Sequence, residues 1–281
     1  MSNAMSTHPA PSSQIAQLVQ AVQQSSKYAA ITPVLIEQIA AQELAKGRSH
    51  KEALKATKNK LHQIAAVYLT RRPDYDAWLA QLEQAWPNAQ AQQQVCRALM
   101  ANHASTKERL PILDDFYSIL LRDLPPIHSL QDLACGLNPL TLPWMMQSGA
   151  LAADFTYWAL DIYADLAHFL QSFFALATIN GRATATDILH EPPDTQTDVA
   201  LLFKAAPCLE QVDKQAGQRL LEQVNARVLF VSFPVHSLSG RQRGMVQNYT
   251  AHFHEMVHNL SWRVEQFEFD TELVFRIWKS T

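Results

Sequence analysis

The chain has 281 residues, a formal net charge of −3 and 48% hydrophobic residues. That length suits one large domain with an accessory, or two domains, and the charge argues against a uniformly basic surface. No uncharged apolar run reaches the roughly 18 residues that a membrane helix needs, and no signal-peptide pattern follows Met5. A soluble, cytoplasmic protein without a membrane partner is expected.

Met1-Ser2-Asn3-Ala4 reads as an expression scar, and the Pro/Ser-rich stretch 6–14 as a frayed end, so residues 1–13 are set aside. Residues 14–122 carry helical periodicity, with helices expected at 15–25, 33–46, 51–69, 74–85, 90–101 and 110–121, and no strand signal. Thr32-Pro33 is a start signal, and Ser49 with Glu52 three residues later is a capping box. Between Lys46 and Arg72 lie eight Lys and Arg residues and two His, opposed by Glu52 alone. Lys51, Lys55 and Lys58 recur at i, i+4, i+7 and share a face, while Leu54, Leu61, Ile64, Ala65 and Tyr68 form the opposite apolar stripe. Such a face is ordinarily just solvated. Uncompensated lysines at i, i+4 repel one another, however, and the imbalance favours a phosphate-binding surface.

Pro125-Pro126 marks the passage into a different texture. Strand-like runs at 130–134, 155–160, 183–186, 199–204 and 227–233 alternate with helical stretches such as 164–179 and 211–223. This alternation predicts a parallel sheet covered on both faces. The segments 262–269 and 272–278, around Asp270-Thr271, predict a terminal antiparallel hairpin. The α/β arrangement is similar to the Rossmann-like class I S-adenosylmethionine-dependent methyltransferases, here preceded by an all-helical region. The domain division expected is 14–105 for the helical part and 106–281 for the cofactor-binding part. Cys96, Cys135 and Cys208 are widely spaced and read as reduced thiols, with no metal site expected.

The segment Asp132-Leu133-Ala134-Cys135-Gly136-Leu137-Asn138-Pro139-Leu140 closes an apolar run on a small-residue turn, where Gly136 lets backbone approach a ligand. Only one glycine of a dinucleotide fingerprint is present, which disfavours a nicotinamide dehydrogenase. Asp161 and Asp187 end the next two strand-like runs, positioned to accept from ribose hydroxyls and an adenine amino group. Each acid alone has an ordinary alternative as a helix N-cap or a solvent-facing strand end. Together with the turn they favour an adenosine-bearing cofactor.

His103-Ala104-Ser105-Thr106-Lys107-Glu108-Arg109 resembles the H-x-S-T-x-E-R signature of the aminoglycoside-resistance 16S rRNA methyltransferases, the Arm/Rmt family. Further matches follow in order: Ser26-Lys27-Tyr28, Lys60-Leu61-His62-Gln63, 132–140, Phe203-Lys204, Ser232-Phe233-Pro234, Ser239-Gly240-Arg241, Gly244-Met245 and Asn248-Tyr249. The likeness covers nearly the whole chain. It implies methyl transfer from S-adenosyl-L-methionine, leaving S-adenosyl-L-homocysteine, to guanine N7 in the decoding site of the 30S subunit.

The resemblance further implies that the 103–109 segment, Ala134, Gly136, Asp161, Asp187, Ile188, Phe203 and Gln211 form the cofactor site, Arg109 facing the methionine carboxylate. Lys27, Lys55, Lys58, Lys60, Lys204, Arg241, Arg243, Met245 and Asn248 are the expected RNA contacts, with no DNA partner. Arg109 also has a structural use, as a helix cap or as the partner of Asp114 or Asp115. A methyltransferase acting on tRNA or a small molecule, and a cofactor-binding protein without turnover, are the other readings.

Overall fold

A computed structural model describes residues 11–66, 72–235 and 244–279. The first three helices, α1 (Pro11–Gln23), α2 (Pro33–Ala45) and α3 (His50–Leu61), pack into a core of their own. Val19, Val22, Ile31, Leu35, Ile36, Ile39 and Leu61 are buried together there. α1 begins at Pro11, inside the stretch expected to fray. Pro33 opens α2, but Thr32 supplies no side-chain cap. The capping box of α3 forms as predicted: Ser49 Oγ accepts from the Glu52 amide, and Glu52 accepts from the Ser49 amide at 2.9 Å. α3 stops at Leu61 and a π turn, His62–Ala66, replaces the continuous helix expected to 69. Lys51 and Lys55 are exposed, Lys58 is half-buried and Leu61 is buried, as the amphipathic pattern requires.

Helices α4 (Tyr75–Ala85), α5 (Ala89–Met100), α6 (Ala104–Arg109) and α7 (Leu113–Leu120) follow. α6 had no expected counterpart. It is a six-residue helix in a charged segment, too short to show periodicity. The strands are β1 (Ile127–Leu133), β2 (Leu151–Asp161), β3 (Asn180–Ala185), β4 (Thr197–Phe203), β5 (Ala226–Pro234), β6 (Arg263–Glu268) and β7 (Glu272–Trp278). Among them lie α8 (Leu142–Gln147), α9 (Ala164–Leu176), α10 (Ala206–Val212), α11 (Ala216–Gln223) and α12 (Met245–Val257). The single helix expected over 211–223 is thus two short ones.

The sheet order is β3-β2-β1-β4-β5-β7-β6, parallel except for β7, which pairs antiparallel with both β5 and β6. The chain runs outward from β1 to β3, then returns to place β4 on the other side of β1. That reversal opens a crevice at the carboxyl ends of β1 and β4, where open α/β sheets bind ligands. Strand alternation divides the core. Val228 and Phe230 of β5 face one layer, with Trp78, Leu99, Phe116 and Phe169, while Leu229, Val231 and Phe233 face the other, with Leu220, Leu221 and Phe253. α4 and α5, although helical like the N-terminal part, therefore bury their apolar faces in the sheet's core. The loop after β2 joins the first helices to the sheet, since the Thr32 amide donates to Ile162 O at 2.9 Å and the Ala164 amide to Ala30 O at 2.8 Å. Among the described residues no helix is long and apolar enough to cross a membrane.

Candidate functional site

A cavity opens at the carboxyl ends of β1, β2 and β4. Its lining includes His103, Ser105, Arg109, Asp132, Ala134, Gly136, Asp161, Asp187, Ile188, Phe203 and Lys204, and reaches Leu35, Ile64 and Tyr75 on the helical side. Residues predicted from five separate stretches of sequence are brought to one place.

The turn after β1 is strained. Ala134 has φ 52°, a left-handed conformation that costs an L-residue roughly 1–2 kcal/mol, and Gly136 has φ 51°. A Cβ on Gly136 would lie 3.0 Å from the His103 ring. The first residue of the 103–109 signature and the single glycine of the turn thus require each other. Gly136→Ala is expected to destabilise the protein by about 2 kcal/mol and weaken cofactor binding; urea denaturation and isothermal titration check both, and wild-type values would contradict this packing.

Asp161, at the end of β2, ties that turn to the next. Its carboxylate accepts from the Gly136 amide at 2.8 Å, the Ile162 amide at 2.7 Å and the Tyr163 amide at 3.4 Å. Burial raises its pKa, and the three amides oppose the shift. Asp187 is buried after β3, where it accepts from the Leu189 amide at 3.0 Å and faces His190 Nδ1 at 2.6 Å. Ile188 beside it is 3% exposed and supplies an apolar wall.

The cavity floor is a buried ionic network. Arg109 is 1% exposed, and its fork meets Glu272 through Nε at 2.9 Å and Nη2 at 2.6 Å, while Nη1 donates to Asn138 Oδ1. The guanidinium also lies over Phe203, 4.4 Å from the ring centre. Neither Asp114 nor Asp115 is its partner; Asp114 pairs with Arg97 and accepts from Trp144 Nε1 at 3.0 Å. Burial alone would raise the Glu272 pKa, but Arg109 and Lys204 outweigh it and hold the carboxylate below its usual range. Burial, together with Lys204 and Arg109, pushes the His103 pKa down to about 4, so the imidazole is neutral at physiological pH.

Lys204 corrects an expectation. Expected as an RNA contact, its side chain is 3% exposed and donates to Ser105 O at 3.1 Å and Glu108 at 3.0 Å, with Glu272 at 3.3 Å. A strand-end lysine held by two carboxylates is no longer a surface cation. Its φ of 56° places a second strained non-glycine residue on the cavity wall.

Other expected residues stand apart. Thr106 is buried and donates to Met100 O at 2.8 Å, so it shapes α6 behind the cavity. Ala104, Lys107 and Glu108 do not line the cavity, although Glu108 anchors Lys204. Gln211 is exposed on α10 and also outside the lining, because the α10 wall is made by Cys208 and Leu209. Lys27 Nζ lies 3.0 Å from His62 Nδ1 and is exposed. Met245 and Asn248 stand on the first turn of α12, with Asn248 exposed. Arg241 and Arg243 fall outside the described residues.

Two groups were not foreseen as site residues. Glu272 is 163 positions from Arg109 and gives no local signal. Asp132, although part of the 132–140 turn segment, proves the more informative. It is 1% exposed; its Oδ2 accepts from Asn138 Nδ2 at 2.8 Å and Tyr157 OH at 2.7 Å, while Oδ1 finds no partner. Burial pushes its pKa up to about 7. A native acid that holds its proton when the unfolded one has lost it makes stability fall as pH rises. That fall is expected between the ordinary 3.8 and about 7, and Asp132→Asn should flatten it in pH-dependent denaturation.

The switch-point crevice, the acid closing β2 and the antiparallel last strand define a class I S-adenosylmethionine-dependent methyltransferase. The pattern of the ribosomal RNA methyltransferase (FmrO) family matches residues 24–276, and the chain belongs to that family. A 16S rRNA (guanine(1405)-N(7))-methyltransferase of Micromonospora echinospora is 36% identical over 97% of this chain and 100% of its own length. The structure of RmtF, a 16S rRNA methyltransferase in complex with S-adenosyl-L-homocysteine, superposes with a TM-score of 0.79 at 28% identity, covering 95% of this chain and 98% of that one. The 16S rRNA methylase RmtB superposes with a TM-score of 0.77 at 28% identity, over 95% and 98% of the two chains.

Proposed function

We propose that this protein transfers the methyl group of S-adenosyl-L-methionine to N7 of the guanine that its relatives modify in 16S rRNA, guanine 1405, in the decoding site of the assembled 30S subunit. The observation that carries this reading is the near full-length likeness to the Micromonospora enzyme named for that reaction. Aminoglycoside resistance follows as the expected phenotype, and the cytoplasm as the place of action.

The cavity fits the methyl donor. Asp161 Oδ2, which accepts from one amide only, retains a lone pair for a ribose hydroxyl, and Ile188, Leu189 and Leu209 offer apolar faces to adenine. The unpartnered Asp132 Oδ1 suits the ammonium of the methionine tail, and Ser105 adds a polar wall. Arg109 reaches the methionine carboxylate only with a guanidinium already forked onto Glu272, so its role is to carry fixed positive charge. Because Asp132 must ionise to meet an ammonium, cofactor affinity should strengthen as pH rises through about 7.

Guanine N7 has a free lone pair at neutral pH, so no general base has to remove a proton. The residues therefore act by placement, aligning the base with the methyl carbon in a site shielded from water. Exposing a paired guanine costs a few kcal/mol, offset by phosphate contacts elsewhere. Lys27, Lys55, Lys58 and Lys60 on the helical unit, with Met245 and Asn248 on α12, are the surface residues for docking. Methyl transfer from labelled cofactor to purified 30S subunits tests the proposal. Label in tRNA or a small molecule, or bound cofactor that never transfers, would overturn it.

A further inference from the structure

Glu43, near the end of α2, is the buried carboxylate that neither the cavity nor the core explains. Its side chain is 2% exposed, yet three cations converge on it: Lys46 at 2.6 Å, Arg48 in direct contact and Lys60 at 3.9 Å. They come from the C-cap of α2, the following loop and the last turn of α3, so one carboxylate gathers basic groups from three pieces of chain. The cations face outward, with side chains 51%, 41% and 23% exposed respectively.

Three positive charges surround Glu43, and even with Glu52 in electrostatic reach of Arg48 the corner keeps a positive excess. That surplus repels itself. Partial burial, then the charges of Lys46 and Arg48, depress the Lys60 pKa. A helix end needing only neutralisation would be satisfied by Lys46, the i+3 partner. The convergence of Arg48 and Lys60 on the same acid is favourable if a further anion shares them.

We propose that Glu43 is a positioning residue that fixes Lys46, Arg48 and Lys60 as one phosphate-binding cluster, presented to the backbone of folded RNA. This rests on the ribosomal RNA reading above. Glu43 touches no RNA. It restrains flexible side chains in advance, so that less conformational freedom is lost on docking.

The proposal and simple charge counting predict opposite results for Glu43→Gln. Removing a negative charge from a phosphate-binding surface should tighten RNA binding if only net charge matters. If Glu43 positions the cluster, the KM for 30S subunits rises about tenfold, while cofactor affinity by calorimetry and kcat at saturating 30S stay within about twofold. The slope of log affinity against log salt for 30S binding should also become shallower. The surface double variant Lys46→Ala/Arg48→Ala should give the same KM increase and loss of slope, and it decides the matter should Glu43→Gln fail to fold. A wild-type or lower KM in folded Glu43→Gln, or an unchanged salt slope in the double variant, overturns the cluster. Failure of the wild type to methylate 16S rRNA would overturn the parent reading as well, so the two failures are distinct.

Discussion

Glu272→Ala is expected to destabilise the protein by about 3–5 kcal/mol, because it leaves two buried cations without their carboxylate. Arg109 loses both of its hydrogen bonds to that acid, at 2.6 and 2.9 Å, and Lys204 loses a neighbour at 3.3 Å. Ser232 Oγ, which donates to Glu272 at 2.6 Å, loses that acceptor and keeps only the Lys204 amide as a partner. Lys204 keeps Glu108, so the larger part of the loss should come from Arg109. A double-mutant cycle with Arg109→Ala checks this by urea denaturation: the two losses should be far from additive, because each change strands the same pair. Additive losses would show that the fork contributes little.

The second large effect is expected at Asp161. Asp161→Ala removes the acceptor that joins the β1 turn to the β2 turn and leaves the amides of Gly136, Ile162 and Tyr163 without it. It also removes the acid proposed to hold ribose. Hydrogen bonds to a charged group contribute about 1.5–3 kcal/mol each, so cofactor affinity should fall by about two orders of magnitude or more. Asp161→Asn, which keeps one acceptor oxygen, should lose less. Calorimetric titration with S-adenosyl-L-homocysteine measures both, and a loss under threefold for Asp161→Ala would remove Asp161 from the site.

The sheet was legible because strands buried on both faces read as continuous apolar runs between helical stretches. The expected 199–204 and 227–233 match β4 and β5 to within two residues, since alternate residues of each go to opposite core layers. The terminal hairpin was equally visible, although its second strand proves internal, between β5 and β6. Much of the cavity was also legible, because Gly136, Asp161, Asp187 and Phe203 sit at or just beyond strand ends, where a parallel sheet collects them.

What stayed hidden depends on distant partners. Nothing near Lys204 announces that Glu108 and Glu272 will bury it, so a strand-end lysine read as an RNA contact. Glu43 has Lys46 and Arg48 close by in sequence, but only the packing of α2 against α3 brings Lys60 to the same acid. Asp132 heads the 132–140 segment, but its unpartnered oxygen exists only once Asn138 and Tyr157 have claimed the other. The expected domain division at 105 followed helical texture. Among the described residues Trp78, Leu82, Cys96 and Leu99 pack in the core of the sheet, while α1 to α3 enclose a core against which Ile162 and Tyr163 also pack.

The central claim is tested most directly by incubating the protein with methyl-labelled S-adenosyl-L-methionine and purified 30S subunits, then mapping N7-methylguanine along 16S rRNA by chemical cleavage and reverse transcription. A single new stop at the guanine that the relatives modify, with label confined to 16S rRNA, is the predicted result. Label at another base, or none despite measurable cofactor binding, would contradict the account.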